Sequence, residues 1–202
     1  MLVLVKVSAL IILLNTAIHR YMRLLSLIRQ LLNESIGDNN MGYDTDFEGS
    51  FTLSHPLTKE HHAYLSMFSQ TRRVKRDAVE LAKLPDLIRE AVNLPIGEDG
   101  GYFLGDSHYM NTVIYSYVCD FDKPPSGQPE LWCQWTPNEN GTAIGWDGGD
   151  RFYKYVEWLD YLIVNFLKPW GYTLNGVVSW TGEGYDDSGD IIVTDNVVTT
   201  LV

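Results

Sequence analysis

The densest set of groups able to do chemistry lies near the C-terminal end. Glu183-Gly-Tyr-Asp-Asp-Ser-Gly-Asp190 puts four carboxylates, Glu183, Asp186, Asp187 and Asp190, in one glycine-bearing stretch. Hard cations such as Ca²⁺ take oxygen ligands from loops of this kind, so these four are the metal candidates. Their spacing does not match the EF-hand loop, and an acidic turn between strands accounts for the same residues. Two carboxylates can also form the acid–base pair of a hydrolase, for instance on a glycoside, provided one pKa is raised in a cleft. His55, His61 and His62 cluster in sequence. On a helix, His61 and His62 point about 100° apart, whereas two ligands to one metal need a three- or four-residue step. One of them against the sheet and the other solvated is the plain reading. Cys119 and Cys133 lie on or beside expected strands without an adjacent histidine, and read as buried reduced thiols. Gly148-Gly149 before a helix could offer N–H groups to an anion, but Asp147 and Asp150 flank it and would repel phosphate, which leaves a tight turn and helix cap. P-loop, Gly-x-Ser-x-Gly, His-Glu-x-x-His and Cys-x-x-Cys patterns are missing, and no cofactor is expected.

A second set of carboxylates suggests binding rather than catalysis. From Tyr43 to Leu53, Tyr43, Thr45, Phe47, Phe51 and Leu53 alternate with Asp44, Asp46, Glu48, Ser50 and Thr52. That period of two predicts a half-buried strand. Asp44, Asp46 and Glu48 would then share its outer side about 6.6 Å apart, as one negative stripe. Such a stripe is either a docking site for a basic protein or a solvated face that keeps the chain soluble.

The elements that must carry these residues follow from the rest of the pattern. The chain has 202 residues, a net charge of −11, 45% hydrophobic and 12% aromatic residues, enough for one packed core. An acidic balance argues against sequence-independent nucleic-acid binding and against an anionic membrane surface. Residues 1–40 differ from the remainder, with four cations against two carboxylates, which leaves −13 for the body. Met-Leu-Val-Leu-Val-Lys-Val-Ser-Ala-Leu-Ile-Ile-Leu-Leu opens this leader before it turns basic. It is readable as a membrane or secretory segment, as a native helix, or as an upstream start ahead of a natural one at Met41. Residues 41–202 form the expected single acidic domain.

Within that domain, Thr58 suits the N-cap of a helix reaching about Thr71. Arg72-Arg-Val-Lys-Arg76 behind it reads as a solvated turn at the helix C-terminus. A helix is expected over Asp77–Lys83 and another from Pro85, at its first position, to Leu94. Thr112–Val118 is rich in strand formers, and Lys123–Pro129 is a loop. Leu131–Thr136 and Thr142–Asp147 read as a hairpin around Asn140-Gly141. Phe152, Tyr155, Val156, Leu159, Leu162, Ile163 and Phe166 form one helical stripe, widened by Tyr153, Trp158 and Tyr161, capped by Asp150 and closed by Pro169. Tyr172–Trp180 is a strand, and Ile191–Thr194 with Val197–Leu201 a hairpin turning at Asp195-Asn196. The fold class expected is α+β: a mostly antiparallel sheet with two main helices packed on one face.

Met41-Gly-Tyr-Asp-Thr-Asp-Phe-Glu-Gly, Gly127-Gln-Pro-Glu-Leu-Trp-Cys-Gln-Trp135, Trp146-Asp-Gly-Gly149, Glu157-Trp-Leu-Asp-Tyr-Leu-Ile163 and Tyr172-Thr-Leu-Asn-Gly176 through Trp180-Thr-Gly-Glu183 carry a resemblance. Over Met41–Val202 the chain resembles a group of small acidic proteins from bacteria and bacteriophages that begin at the methionine of Met-Gly-Tyr. The resemblance implies a cytoplasmic bacterial or phage setting, with membrane anchoring only if the leader is native, and implies nothing about chemistry. The function expected is therefore a small acidic binding module, an inhibitor or adaptor on a basic host-protein surface. The alternative is a carboxylate- or metal-dependent hydrolase.

Overall fold

Alternation between Tyr43 and Leu53 produces a strand interrupted once, at Ser50. Its halves are β1 (Thr45–Gly49) and β2 (Phe51–Leu53). Both lie antiparallel to β7 (Leu174–Gly182) in one unbroken register, from Thr45↔Gly182 to Leu53↔Leu174. The backbones approach closely where the halves meet. Gly49 has φ +106°, and a methyl group there would stand 2.9 Å from the Val177 carbonyl oxygen. The computed structural model describes residues 42–105, 116–184 and 186–202. The chain divides into Met1–Gly42 and Tyr43–Val202, and the second unit is the one built below. The leader 1–40 and positions 112–115 of the expected strand lie outside the described residues.

The seven-stranded sheet runs β5 (Trp135–Pro137), β6 (Ala143–Trp146), β2, β7, β8 (Ser188–Thr194), β9 (Val197–Leu201), with β1 alongside β7. Its pairings are antiparallel. A separate two-stranded piece joins β3 (Lys75–Arg76) to β4 (Val118–Asp120). Two main helices, α1 (Lys59–Gln70) and α4 (Tyr155–Leu162), are accompanied by the short α2 (Ala78–Leu81) and α3 (Leu87–Ala91). The fold is α+β and mostly antiparallel.

One core joins the sheet to the helices. Phe51 and Leu53 on β2, Trp135 on β5, Ile144 on β6, Leu174, Val178 and Trp180 on β7, and Ile191 and Val193 on β8 turn inward. They meet Tyr64, Leu65 and Phe68 of α1 and Trp158, Leu159 and Leu162 of α4. Burying each large side chain contributes about 2–3 kcal/mol. Phe47 lies edge-on to Trp135, Trp146, Phe152 and Tyr155 at centroid distances of 4.9–5.7 Å. Thr58 caps α1 as its type predicts, its Oγ1 accepting from the His61 N–H at 3.2 Å. Asp195 and Asn196, at φ 48° and 67°, form the two-residue turn expected between β8 and β9.

Several expectations are corrected. Asp150 does not cap the long helix. The backbone is left-handed at Arg151 and Lys154, so α4 starts only at Tyr155. Pro85 is not the first residue of a helix; Asp86 caps α3, its Oδ1 accepting from the Arg89 N–H at 3.2 Å. Asp77 caps a shorter α2, accepting from Val79 and Glu80. Residues 131–134 are not strand, and Asn140-Gly141 lies in a five-residue loop whose Asn138 carboxamide accepts from Thr142 and Ala143. The long helix ends in a wider turn over Ile163–Leu167, where the Lys168 N–H reaches the Ile163 carbonyl. Arg72–Arg76 is not a solvated turn, since Arg73 is fully buried and Arg76 nearly so.

Candidate functional site

The sheet formed by β1, β7, β8 and β9 turns its second face away from the core. Register sets the side chains of that face in rows. Glu48, Ser179, Asp190 and Leu201 form one row across four strands, and Asp46, Thr181 and Ser188 form the next. Strand spacing places Glu48 and Asp190 roughly 10 Å apart, with Asp46 about 6.6 Å along the strand from Glu48. Ser179 Oγ donates to Asp190 Oδ1 at 2.7 Å and so fixes that carboxylate on the face. On the other side of this row lie Val177, 51% exposed, and half-buried Ile192. Residues 43–53 and 169–202, which supply these four strands, contain eight carboxylates and no Lys or Arg.

Of the three carboxylates expected to form the stripe, Asp46 and Glu48 lie on this face. Asp44 precedes β1, and its Oδ1 accepts from the Arg151 N–H at 3.1 Å, which ties it to the loop before α4. Asp190 joins Asp46 and Glu48 instead. Its neighbours along the chain are Glu183, Asp186 and Asp187, which is why the sequence alone groups it with them. Knowing that β8 begins at Ser188 would have moved it to the sheet.

The four metal candidates are not brought together. Asp187 accepts from the Tyr43 hydroxyl, its backbone N–H bonds the Gly184 carbonyl, and Asp190 faces outward from β8. Among the described residues, no group of three or more His, Cys, Asp or Glu side chains is placed to hold a metal ion. The histidines also diverge. His61 stacks on Trp170 at 4.0 Å and its Nδ1 bonds the Tyr172 hydroxyl at 2.9 Å, while His62 Nε2 bonds the Asn138 carbonyl at 2.9 Å. Both are half-buried, so neither is simply solvated. Burial lowers the His61 pKa, opposed by nearby Glu60. Cys133 is buried and its thiol pKa is raised by that burial, but Cys119 is exposed, contrary to expectation. Gly148-Gly149 is a tight turn in which Asp147 Oδ1 accepts from the Gly149 N–H at 2.9 Å; it caps no helix.

A buried polar network has no local signal in the sequence. Arg73 donates to Gln128 Oε1 and to the Gly101 and Phe103 carbonyls, with its guanidinium 4.2 Å over the Phe68 ring. Arg76 bonds the Val74 and Arg72 carbonyls, and burial, then Arg73, pulls its pKa down to about 9. Gln128 also donates to the Tyr161 hydroxyl, which lines an open groove of about 530 Å³ beside α4. Glu157 and Asp160 stand in that groove, where burial, and then Glu157, raises the Asp160 pKa.

No family model matches the chain, and neither a curated protein nor a solved structure matches it. Among the described residues, no helix is long and apolar enough to cross a membrane.

Proposed function

We propose that this protein is a binding module for a basic protein surface, acting as an inhibitor or adaptor in a bacterial or phage-infected cytoplasm. One observation carries this reading: the sheet face turned away from the core presents, among the described residues, Asp46, Glu48 and Asp190 beside Val177, with no Lys or Arg on its strands. Carboxylates grouped on strands without Lys or Arg steer cationic partners toward the face, and the apolar strip supplies area to desolvate on contact. The body charge of −13 acts in the same direction over longer distances. The resemblance to small acidic bacterial and phage proteins supplies only the cellular setting of this reading.

The test is affinity capture from a bacterial lysate at low and high salt, with wild type and the triple variant Asp46→Asn, Glu48→Gln, Asp190→Asn in parallel. Asp46 and Glu48 are exposed, and at half-buried Asp190 asparagine keeps an oxygen for the Ser179 hydroxyl, so the variant should fold normally. A basic protein retained by wild type at low salt should be released by salt. Once purified, it should associate about tenfold more slowly with the variant, most at low ionic strength where screening is weakest. Equal association rates at low salt would remove the face from the binding site. The second reading, a carboxylate-dependent hydrolase, rests on the raised Asp160 pKa beside Glu157 in the groove. Absence of any partner, with turnover in a hydrolase screen that Asp160→Asn abolishes, would favour it.

A further inference from the structure

The strands differ in how their free edges are guarded. Exposed edges carry unpaired N–H and C=O groups, and proteins blunt them with charge, proline, bulges or shortness. β5 is three residues long and includes Pro137. β1, paired only with β7 among the described residues, carries Asp46 and Glu48. β9, paired only with β8 among the described residues, is Val-Val-Thr-Thr-Leu, with no charge, no proline and no register shift. Val197 and Leu201 are 61% and 62% exposed.

We propose that β9 pairs with β9 of a second copy, antiparallel about a two-fold axis at Thr199. The hairpin geometry dictates this register. Across a two-residue turn the flanking pair, Thr194 and Val197, is the hydrogen-bonded one. Alternation then points the backbone groups of Val197, Thr199 and Leu201 at β8, and those of Val198 and Thr200 outward. With the axis at Thr199, Val198 faces Thr200 of the second copy and each exchanges N–H and C=O with the other, so all outward groups of both residues are used. Side chains match as well. Thr199 meets Thr199, and Val197 meets Leu201 of the second copy on the sheet's outer face, which closes the pair without a residue left over. The strand is its own complement in this register. The central residues carry no charge, so a second copy meets no local repulsion, while the acidic bodies repel at a distance and salt should strengthen the pair.

That salt dependence is opposite to the one expected for a basic partner, so the two proposals fail separately. Sedimentation of the full chain should give a doubled mass that increases in population with salt. Thr200→Pro removes an outward N–H without touching the β8 ladder, since proline is tolerated at that side of an edge. It should give a monomer whose thermal transition matches wild type at a dilution where wild type is monomeric too. Thr199→Lys sets two ammonium groups against each other at the axis and should also give a monomer. Mixing Thr199→Lys with Thr199→Glu should restore the doubled mass, because only a Thr199–Thr199 register brings those residues together. A wild-type monomer in high salt, a dimer that survives Thr200→Pro, or a mixture that stays monomeric would each overturn the proposal.

Discussion

Asp147 shows how far one carboxyl's behaviour departs from its residue type. It sits at the surface, yet the protein packed around it pushes its pKa up to about 6. The group binds its proton more tightly in the folded chain than in the unfolded one, where its pKa is near 4. Its contribution to stability is therefore most favourable below the unfolded value and declines as pH rises to about 6. Asp147→Asn keeps an oxygen for the Gly149 N–H and removes the charge. It should raise unfolding free energy at pH 7 by about 1 kcal/mol, less than the full shift implies because solvent screens the group. Urea unfolding at pH 4 and pH 7 checks this, and an equal gain at both would refute it. Arg73 is the opposite case, a residue that sequence reading places in water and the fold places in the core. Nothing in Arg-Arg-Val-Lys-Arg distinguishes its second residue. What selects it is a ring four angstroms away and acceptors from residues 101, 103 and 128, none of them local.

At the scale of elements, turn chemistry was legible where the turn is short. Asp195-Asn196 sits between two strands of alternating pattern, and both residues tolerate a left-handed backbone. Tertiary contact then adds to it. Asn196 Oδ1 accepts from the Leu174 N–H at 2.7 Å and its Nδ2 donates to the Tyr172 carbonyl at 2.9 Å, which locks the hairpin to the start of β7. Asn196→Ala loses both bonds and the backbone preference, at a cost of about 2 kcal/mol, and Asn196→Gly should cost about half as much because glycine keeps the left-handed freedom. Chemical denaturation of the two variants gives the comparison; an alanine variant as stable as wild type would show the bonds to be idle. Asn140-Gly141 carries as strong a turn signal but occupies a longer loop, because the Asn138 carboxamide supplies the acceptor that closes it. Asp150 misled in a similar way. Its type suits a cap, while the left-handed backbone at residues 151 and 154 delays the helix.

Charge is divided over the whole molecule as unevenly as over the sheet. The strands at the two ends of the domain carry carboxylates only, and its eleven Lys and Arg residues lie between residues 59 and 168. Like charges on one face repel, so the fold holds them at an electrostatic cost that salt relieves. Thermal stability should therefore rise by a few degrees between about 10 mM and 150 mM NaCl. Glu48→Lys should raise the melting temperature at low salt and give less benefit at high salt. A transition indifferent to salt in both proteins would mean that the carboxylates are too far apart to interact.

Local pattern determined the elements whose cause is local. Period-two alternation set β1, β2 and β7, the apolar stripe set α4, and cap and turn residues set the start of α1 and the β8–β9 hairpin, because backbone geometry and side-chain direction repeat with fixed periods. Those suffice for an α+β reading with helices on one side. Tertiary structure alone decided which strands not joined by a short turn are neighbours, and neighbours decide what a side chain faces. Register carried Asp190 from an acidic loop to a row with Glu48, while contacts outside the strands drew Asp44 off to Arg151 and closed Arg73 against Gln128. These contacts join residues distant in the chain, so no window of sequence holds the information that selects them.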